Sequence, residues 1–418
     1  MPSNDGVPGA RPFRVLIIGG SYGGLSTALT LVDLSRGRIP RFSYDRTIAP
    51  PAHRIPVQIT VVDERDGFFH LIGSPKALAC EKFAGETWTR FQEIPALKSP
   101  HINFVQGSVS SVDFTTKTAQ IDETSTKATR SETYDYLVVS SGLRRTFPTV
   151  PQSLQRSDFL AEASDNVQDI QKASEGVVVV GGGAVGVEMA AELKILYPQQ
   201  KITLIHSRSR LLSSEPLPDD FAEQVDSILR EVGVETILGQ RVVETTAADG
   251  ADGQRVWCLT LSDGRQLTTG HVLNAISRCI PTSTYLPSKA LDKEGYVKIR
   301  PSLQFSGEVP NAEHHWCVGD LAAWPGIKRC GGAMHMGHYA GHNLYEHMTT
   351  ATVGSKPDFK ELSPFPNVIG LALGKKAVCW TPDEGTKHGE ELMDSLFGKD
   401  MGNSICRNYM QFSEPCPS

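Results

Sequence analysis

The residues best able to do chemistry stand in two glycine-rich turns. Gly19, Gly20, Ser21, Tyr22, Gly23 and Gly24 follow Arg-Val-Leu-Ile-Ile at 14–18 and precede Leu25–Leu31, a run that can form a helix. Gly181, Gly182, Gly183, Ala184, Val185, Gly186 and Glu188 follow Val177–Val180 and precede Met189–Leu193. A strand, a glycine turn and a helix aim unpaired N–H groups and the positive end of a helix dipole at a diphosphate. The second turn is a complete GxGxxG. In the first, Ser21 holds the middle position; it is small enough to admit a phosphate and can donate a hydrogen bond to it. An ordinary strand–helix turn is the competing reading of the first segment taken alone.

The next strand in such a unit ends in an acid that binds ribose hydroxyls, about 20 residues past the motif. Val57–Val62 ends in Asp63 and Glu64, and we take Asp63 as the ribose ligand with Glu64 second. Asp63 comes 39 residues after Gly24. The excess lies in residues 36–56, rich in Pro and Arg, which read as an inserted surface loop. The strand after the second turn, Lys201–Ile205, ends in His206, with Ser207 and Arg208 following. An acid there would repel a 2′-phosphate and an arginine would accommodate it. The sequence therefore favours NADPH and leaves NADH open; arginines of a solvated loop are the alternative.

Two such units in one chain resemble the pyridine nucleotide–disulfide oxidoreductase superfamily. Three further segments carry the likeness. Tyr134–Gly142 is similar to the strand and turn that closes the first dinucleotide domain, with Ser140 and Ser141 in place of Ala-Thr. His271–Ser277 is similar to the strand leaving the second, with Ser277 in place of glycine. Trp316–Asp320 is similar to the late Gly-Asp motif. Within the superfamily the chain looks most like the AIF-like group, including AMID-like proteins and fungal homologues. The resemblance implies FAD at the first site and NADPH or NADH at the second. It implies that Gly319 and Asp320 meet the FAD, with further contacts from Val109, Ser141, Gly142 and, at the second site, Ser277. It also implies oxidation of NAD(P)H with transfer to quinones, oxygen or another small-molecule acceptor.

A flavin supplies the redox chemistry and the protein supplies position and electrostatics. Lys76 falls where relatives pass beside the flavin, and a cation there would stabilise the reduced anion. Met334, His335 and Met336 open the helix whose dipole would face the flavin edge; Lys76, His335 and Met336 are the catalytic candidates. His70 is a weaker proton-shuttle candidate. The chain has no CxxxxC, which argues against a disulfide reductase; Cys80 and Cys330 are read chiefly as packing thiols. His338 and His342 share a helix face, but no HExxH or further ligand set accompanies them, so no metal is expected.

The elements that must position these groups fit an α/β chain. Two Rossmann-like domains of the glutathione-reductase type are expected, one inserted in the other. Residues 10–148 and 277–348 would form the FAD domain and 149–276 the NAD(P)H domain. A C-terminal α+β interface domain, 349–418, would follow, with a strand at Ala377–Trp380 and a helix at Glu390–Phe397. The 418 residues are ample for this. A net charge of −6 disfavours nucleic acid and anionic membrane as partners. No run suits a membrane span, Met-Pro-Ser-Asn-Asp-Gly has no apolar signal core, and Pro2 excludes N-myristoylation. We expect a cytoplasmic protein without integral membrane association, a homodimer being possible. The eight cysteines are read as reduced thiols.

Overall fold

The structure is a computed structural model that describes residues 11–42, 49–147, 149–250, 255–276 and 278–415. The N-terminal residues, Ser277 and Cys416 lie outside them. The chain is α/β, as its alternation of apolar strands and glycine-led helices predicts.

A seven-stranded sheet runs in the order His315–Cys317, Tyr136–Val139, Phe13–Ile18, Val57–Asp63, Ile102–Asp113, Thr118–Glu123, Thr129–Thr133. The first five are parallel neighbours, with Ile17 between Val61 and Val138. The last two form an antiparallel hairpin on the long fifth strand. Both faces of the Phe13–Ile18 strand are covered, which is why it reads as a continuous apolar run rather than an alternating one. The 315–317 strand joins this sheet from far along the chain. Between these segments comes a parallel four-stranded sheet, ordered Glu235–Leu238, Ile202–His206, Val177–Val180, His271–Asn274. A three-stranded antiparallel sheet spanning Val242–Thr269 adjoins it.

The helix Tyr22–Ser35 packs along the helix Cys330–Val353 at close range. A Cβ on Gly337 would stand 2.3 Å from the Gly23 carbonyl oxygen, and one on Gly341 would stand 2.7 Å from Thr30 Cβ. The small residues Gly337 and Gly341 thus make room for a neighbouring helix.

Residues 36–56 are not wholly a surface loop. Arg41 is buried and its guanidinium pairs with the buried Asp33 at 2.9 Å, while Phe42 and Ile55 enter the core. The C-terminal region forms an antiparallel sheet, Ile369–Leu373, Lys376–Thr381 and Gly385–Gly389, followed by helices Glu390–Leu396 and Asn403–Tyr409. Leu371, Val378, Phe397 and Met401 share one apolar core with Val177, Met189, Leu204 and Phe221 of the inserted unit. The Ala372 amide donates to the Glu188 carboxylate at 3.0 Å, and Lys376 reaches Glu231 at 2.6 Å. No helix among the described residues is long and apolar enough to cross a membrane.

Candidate cofactor and redox site

At the first turn Gly19 has φ +107°, and a Cβ there would stand 2.4 Å from the Ser140 carbonyl oxygen. Only glycine takes this conformation without strain. A Cβ on Gly24 would stand 1.9 Å from the Gly19 oxygen, so that glycine lets the helix close onto the strand. The Gly20 amide donates to Asp63 Oδ2 at 2.6 Å, and the Arg65 amide to Oδ1 at 2.8 Å. Asp63 therefore holds the turn as well as ending the second strand. Burial pushes its carboxyl up, against the pull of Arg65 and the two amides. Ser21 caps the helix without a side-chain capping bond, and no acid occupies the first helical turn to compete with an anion.

These residues line a cavity of about 620 Å³. Gly20–Gly23, Asp63 and Glu64 meet Ser141, Gly142, Gly319, Asp320 and Met334 on its walls. Gly23 faces Val318, which fixes how the late strand meets the first helix. Asp320 is half-buried near Arg145, at 3.9 Å, and Lys328; loss of solvent raises its carboxyl and both cations oppose the rise. A Cβ on Gly142 or Gly331 would meet nothing within 4 Å, leaving open backbone cradles at the wall. Helix-terminal amides, a ribose-type acid, cations and open glycine backbone together fit a dinucleotide.

The second turn repeats the geometry with one substitution. Gly181 has φ +118°, a Cβ on Gly186 would stand 1.8 Å from the Gly181 oxygen, and Gly183 has open space around it. The Gly182 amide donates to His206 Nδ1 at 3.1 Å, and His206 Nε2 faces the Ser213 hydroxyl at 3.1 Å. This is the bond Gly20 makes to Asp63, with an imidazole nitrogen in place of a carboxylate oxygen. Nδ1 accepts, so the ring proton sits on Nε2. Burial, with Arg208 adding, keeps the ring neutral by lowering its pKa. Spacing marks His206 as a selectivity position and does not reveal this structural task. Arg208 is exposed, whereas Arg210 pairs with Asp219.

Ala184, Val185 and Glu188 of the second helix also line the cavity, while Gly181, Gly183, Gly186 and His206–Arg208 lie off its walls. Glu188 is pushed up to about 8 by burial, with Glu192 adding and the Ala372 amide opposing. It is a carboxyl that keeps its proton near neutral pH inside the site.

Several candidates fall elsewhere. Lys76 is off the cavity walls: its ammonium donates to the Lys399 carbonyl at 3.1 Å and lies 3.8 Å from Glu192. The buried Glu192 and the C-terminal segment claim it. His335 packs against the Tyr339 and Phe365 rings and Met336 is buried in the first core, neither on the walls. Val109 sits beside a register irregularity in the long fifth strand, packed on the same core. His70 does sit beside the site. Its Nε2 donates to the Met401 carbonyl at 2.9 Å, so its Nδ1 accepts from the Tyr22 hydroxyl at 3.0 Å. Among the described residues, no group of three or more His, Cys, Asp or Glu is placed to hold a metal.

The fold and this paired-turn site define a two-dinucleotide oxidoreductase. The chain belongs to the pyridine nucleotide-disulphide oxidoreductase family, whose model matches residues 13–337. It is an FAD-dependent enzyme that uses NAD(P)H. It is 50% identical to Oxidoreductase OXR1 of Ajellomyces capsulatus over 424 residues, covering 99% of this chain and 92% of that one. It is 26% identical to Ferroptosis suppressor protein 1 of Homo sapiens, covering 74% of each. The sulfide:quinone oxidoreductase of Aquifex aeolicus has the same fold, with a TM-score of 0.65 at 18% identity over 95% of this chain and 92% of that one.

Proposed function

We propose that the chain carries hydride equivalents from NAD(P)H, by way of FAD in this cavity, to a quinone-like small molecule. The observation that carries the reading is the two-sided character of the cavity. One side offers the glycine turn, Asp63, Asp320 and the cations. The other is apolar and comes from the C-terminal region, with Ile369, Leu371, Leu396, Phe397 and Ile405 on its wall. Such a wall suits a flat, largely hydrophobic acceptor. A bound flavin accepts a hydride and releases electrons singly or in pairs. Gly20–Gly23 would cradle its diphosphate, Asp63 its adenosine ribose, and Gly319–Asp320 its sugar-alcohol chain. Gly181–Gly186 would hold the nicotinamide dinucleotide, NADPH favoured by the absence of an acid at 206. Glu188 would keep a proton at its carboxyl oxygen where the two sites meet.

Electrons pass to the acceptor without a relaying cysteine pair; the absence of CxxxxC supports this. We place the protein in the cytoplasm. The test is a steady-state screen of acceptors with FAD-loaded enzyme. Soluble quinones should give the highest kcat/KM; turnover with small disulfides alone would overturn the reading.

A further inference from the structure

His70 is fully buried, and each of its ring nitrogens has a partner. Nε2 stands 2.9 Å from the Met401 carbonyl oxygen and Nδ1 stands 3.0 Å from the Tyr22 hydroxyl. The carbonyl can only accept, so the ring proton is on Nε2 and the hydroxyl donates to Nδ1. Burial, with Arg407 adding, keeps the ring neutral against the pull of the Met401 carbonyl and Asp400. The chain of bonds from Tyr22 through His70 to Met401 thus runs in one direction and leaves neither ring nitrogen free to shuttle a proton. We propose that His70 is a positioning residue for the electron acceptor, pinning the 397–402 turn of the apolar wall to the first glycine turn. The inference rests on the reading of that wall as the acceptor surface.

Both ends of the chain of bonds reach the cavity. Tyr22 opens the helix Tyr22–Ser35, lines the glycine-turn side and sets its ring edge-on to Phe68 at 5.2 Å. Phe397, Met401, Gly402 and Ile405 line the apolar side. Met401 has φ +54°, a conformation that a residue with a side chain keeps only where its surroundings impose it. Its side chain is buried in the core shared with the inserted unit, and its carbonyl is taken by His70. Gly402 follows at φ +79°, and its amide returns to the Phe397 carbonyl at 2.6 Å. The turn that carries Phe397 is therefore closed on itself and held from behind by one imidazole.

Three more bonds dock the same stretch on residues 76–89. Lys76 donates to the Lys399 carbonyl at 3.1 Å, Asn403 Nδ2 to the Glu86 carbonyl at 3.0 Å, and Arg407 to Thr89 Oγ1 at 2.8 Å. These are exposed or half-buried. The two bonds of His70 are buried, where a lost partner leaves a polar group without water and costs more. Of these four contacts, that of His70 continues to the first glycine turn. A wall that slips moves the acceptor relative to the flavin, and a shift of about 1 Å between reacting groups is felt in the rate.

The experiment uses the FAD-loaded full chain and two variants that each keep one bond. The amide nitrogen of His70→Gln reaches about as far as Nε2 and still donates to Met401. The shorter His70→Asn offers its oxygen to Tyr22 and loses Met401. Hydrogen exchange read by mass should be about fivefold faster over residues 397–402 in His70→Asn than in wild type, and close to wild type in His70→Gln. The KM for a soluble quinone should rise about fivefold in His70→Asn alone, while flavin reduction by NADPH stays within about twofold of wild type in both. Nitrogen NMR of the wild-type imidazole, assigned by its loss in His70→Gln, should show the Nε2–H form near neutral pH. The Nδ1–H form, or equal exchange and equal KM in the two variants, would overturn the assignment of His70. The tautomer decides even where His70→Asn does not fold. A wild type that reduces no quinone overturns the acceptor reading instead, and exchange still reports whether His70 pins the turn.

Discussion

The substitution of His206 for an acid shows how one residue can serve a turn by different chemistry. Asp63 and His206 occupy equivalent strand ends, and each accepts from the second glycine amide of its turn. Only the imidazole loses that ability on protonation, because both ring nitrogens then donate. The His206 pKa is lowered, so the unfolded chain binds the proton more readily. Its contribution is therefore fully present above the ordinary histidine pKa of about 6.5 and is lost as pH falls through the depressed folded value. NADPH affinity should weaken as pH falls through the depressed His206 value, by roughly fivefold if one hydrogen bond of about 1 kcal/mol is lost. His206→Asn, with an amide oxygen to accept, should flatten that dependence in a fluorescence titration across pH 5–8. Unchanged pH dependence in the variant would remove His206 from the account. Glu188 gives the opposite sign. A carboxyl raised to about 8 favours folding below the ordinary value near 4.3, and the benefit is lost as pH rises through 8. Glu188→Gln keeps an acceptor for the Ala372 amide, so its Tm relative to wild type should rise steadily between pH 6 and 9. Position 206 was legible as unusual, but nothing in spacing says that a histidine nitrogen holds Gly182. Lys76 was placed by likeness alone, and Glu192 could not be foreseen as the group that draws it away.

At the scale of elements, the turns were the most legible part of the chain. A glycine at positive φ between an apolar strand and a helix has few other uses, as at Gly19 and Gly181, while Gly24 and Gly186 let each helix close onto its strand. The helix 330–353 was legible as a helix and less so in its contacts. Gly337 and Gly341 face the helix 22–35, because a packed pair of helices and a flavin cradle ask for the same small residues. Gly337→Ala should therefore act through packing, forcing the Gly23 carbonyl to move. We expect a loss of about 1–3 kcal/mol in denaturant unfolding, with FAD release at lower denaturant. A fully stable, FAD-replete variant would contradict the contact. The segment 36–56 was misread in part because Arg41 looks like a surface residue until Asp33 is seen beneath it.

For the whole molecule, the C-terminal region is the part the sequence described least. Its strand and helix were visible, but its place was not, since an apolar face does not name its partner. It shares a core with the inserted unit and supplies one wall of the cavity. Phe397→Leu should raise the KM for a quinone several-fold while the rate of flavin reduction by NADPH stays close to wild type; equal effects on both half-reactions would show that the wall is not an acceptor surface. The long-range meeting of Gly20–Gly23 with Asp320 was readable only through family likeness, because nothing local ties residue 20 to residue 320.

The most direct measurement is anaerobic stopped-flow absorbance of the FAD-loaded protein, mixed first with NADPH or NADH and then with a soluble quinone. The account predicts bleaching of the oxidised flavin band by nucleotide, with NADPH at least as fast as NADH, and rapid return of the band on adding quinone. A flavin that neither nucleotide bleaches, or a reduced flavin that quinone leaves bleached, would contradict it.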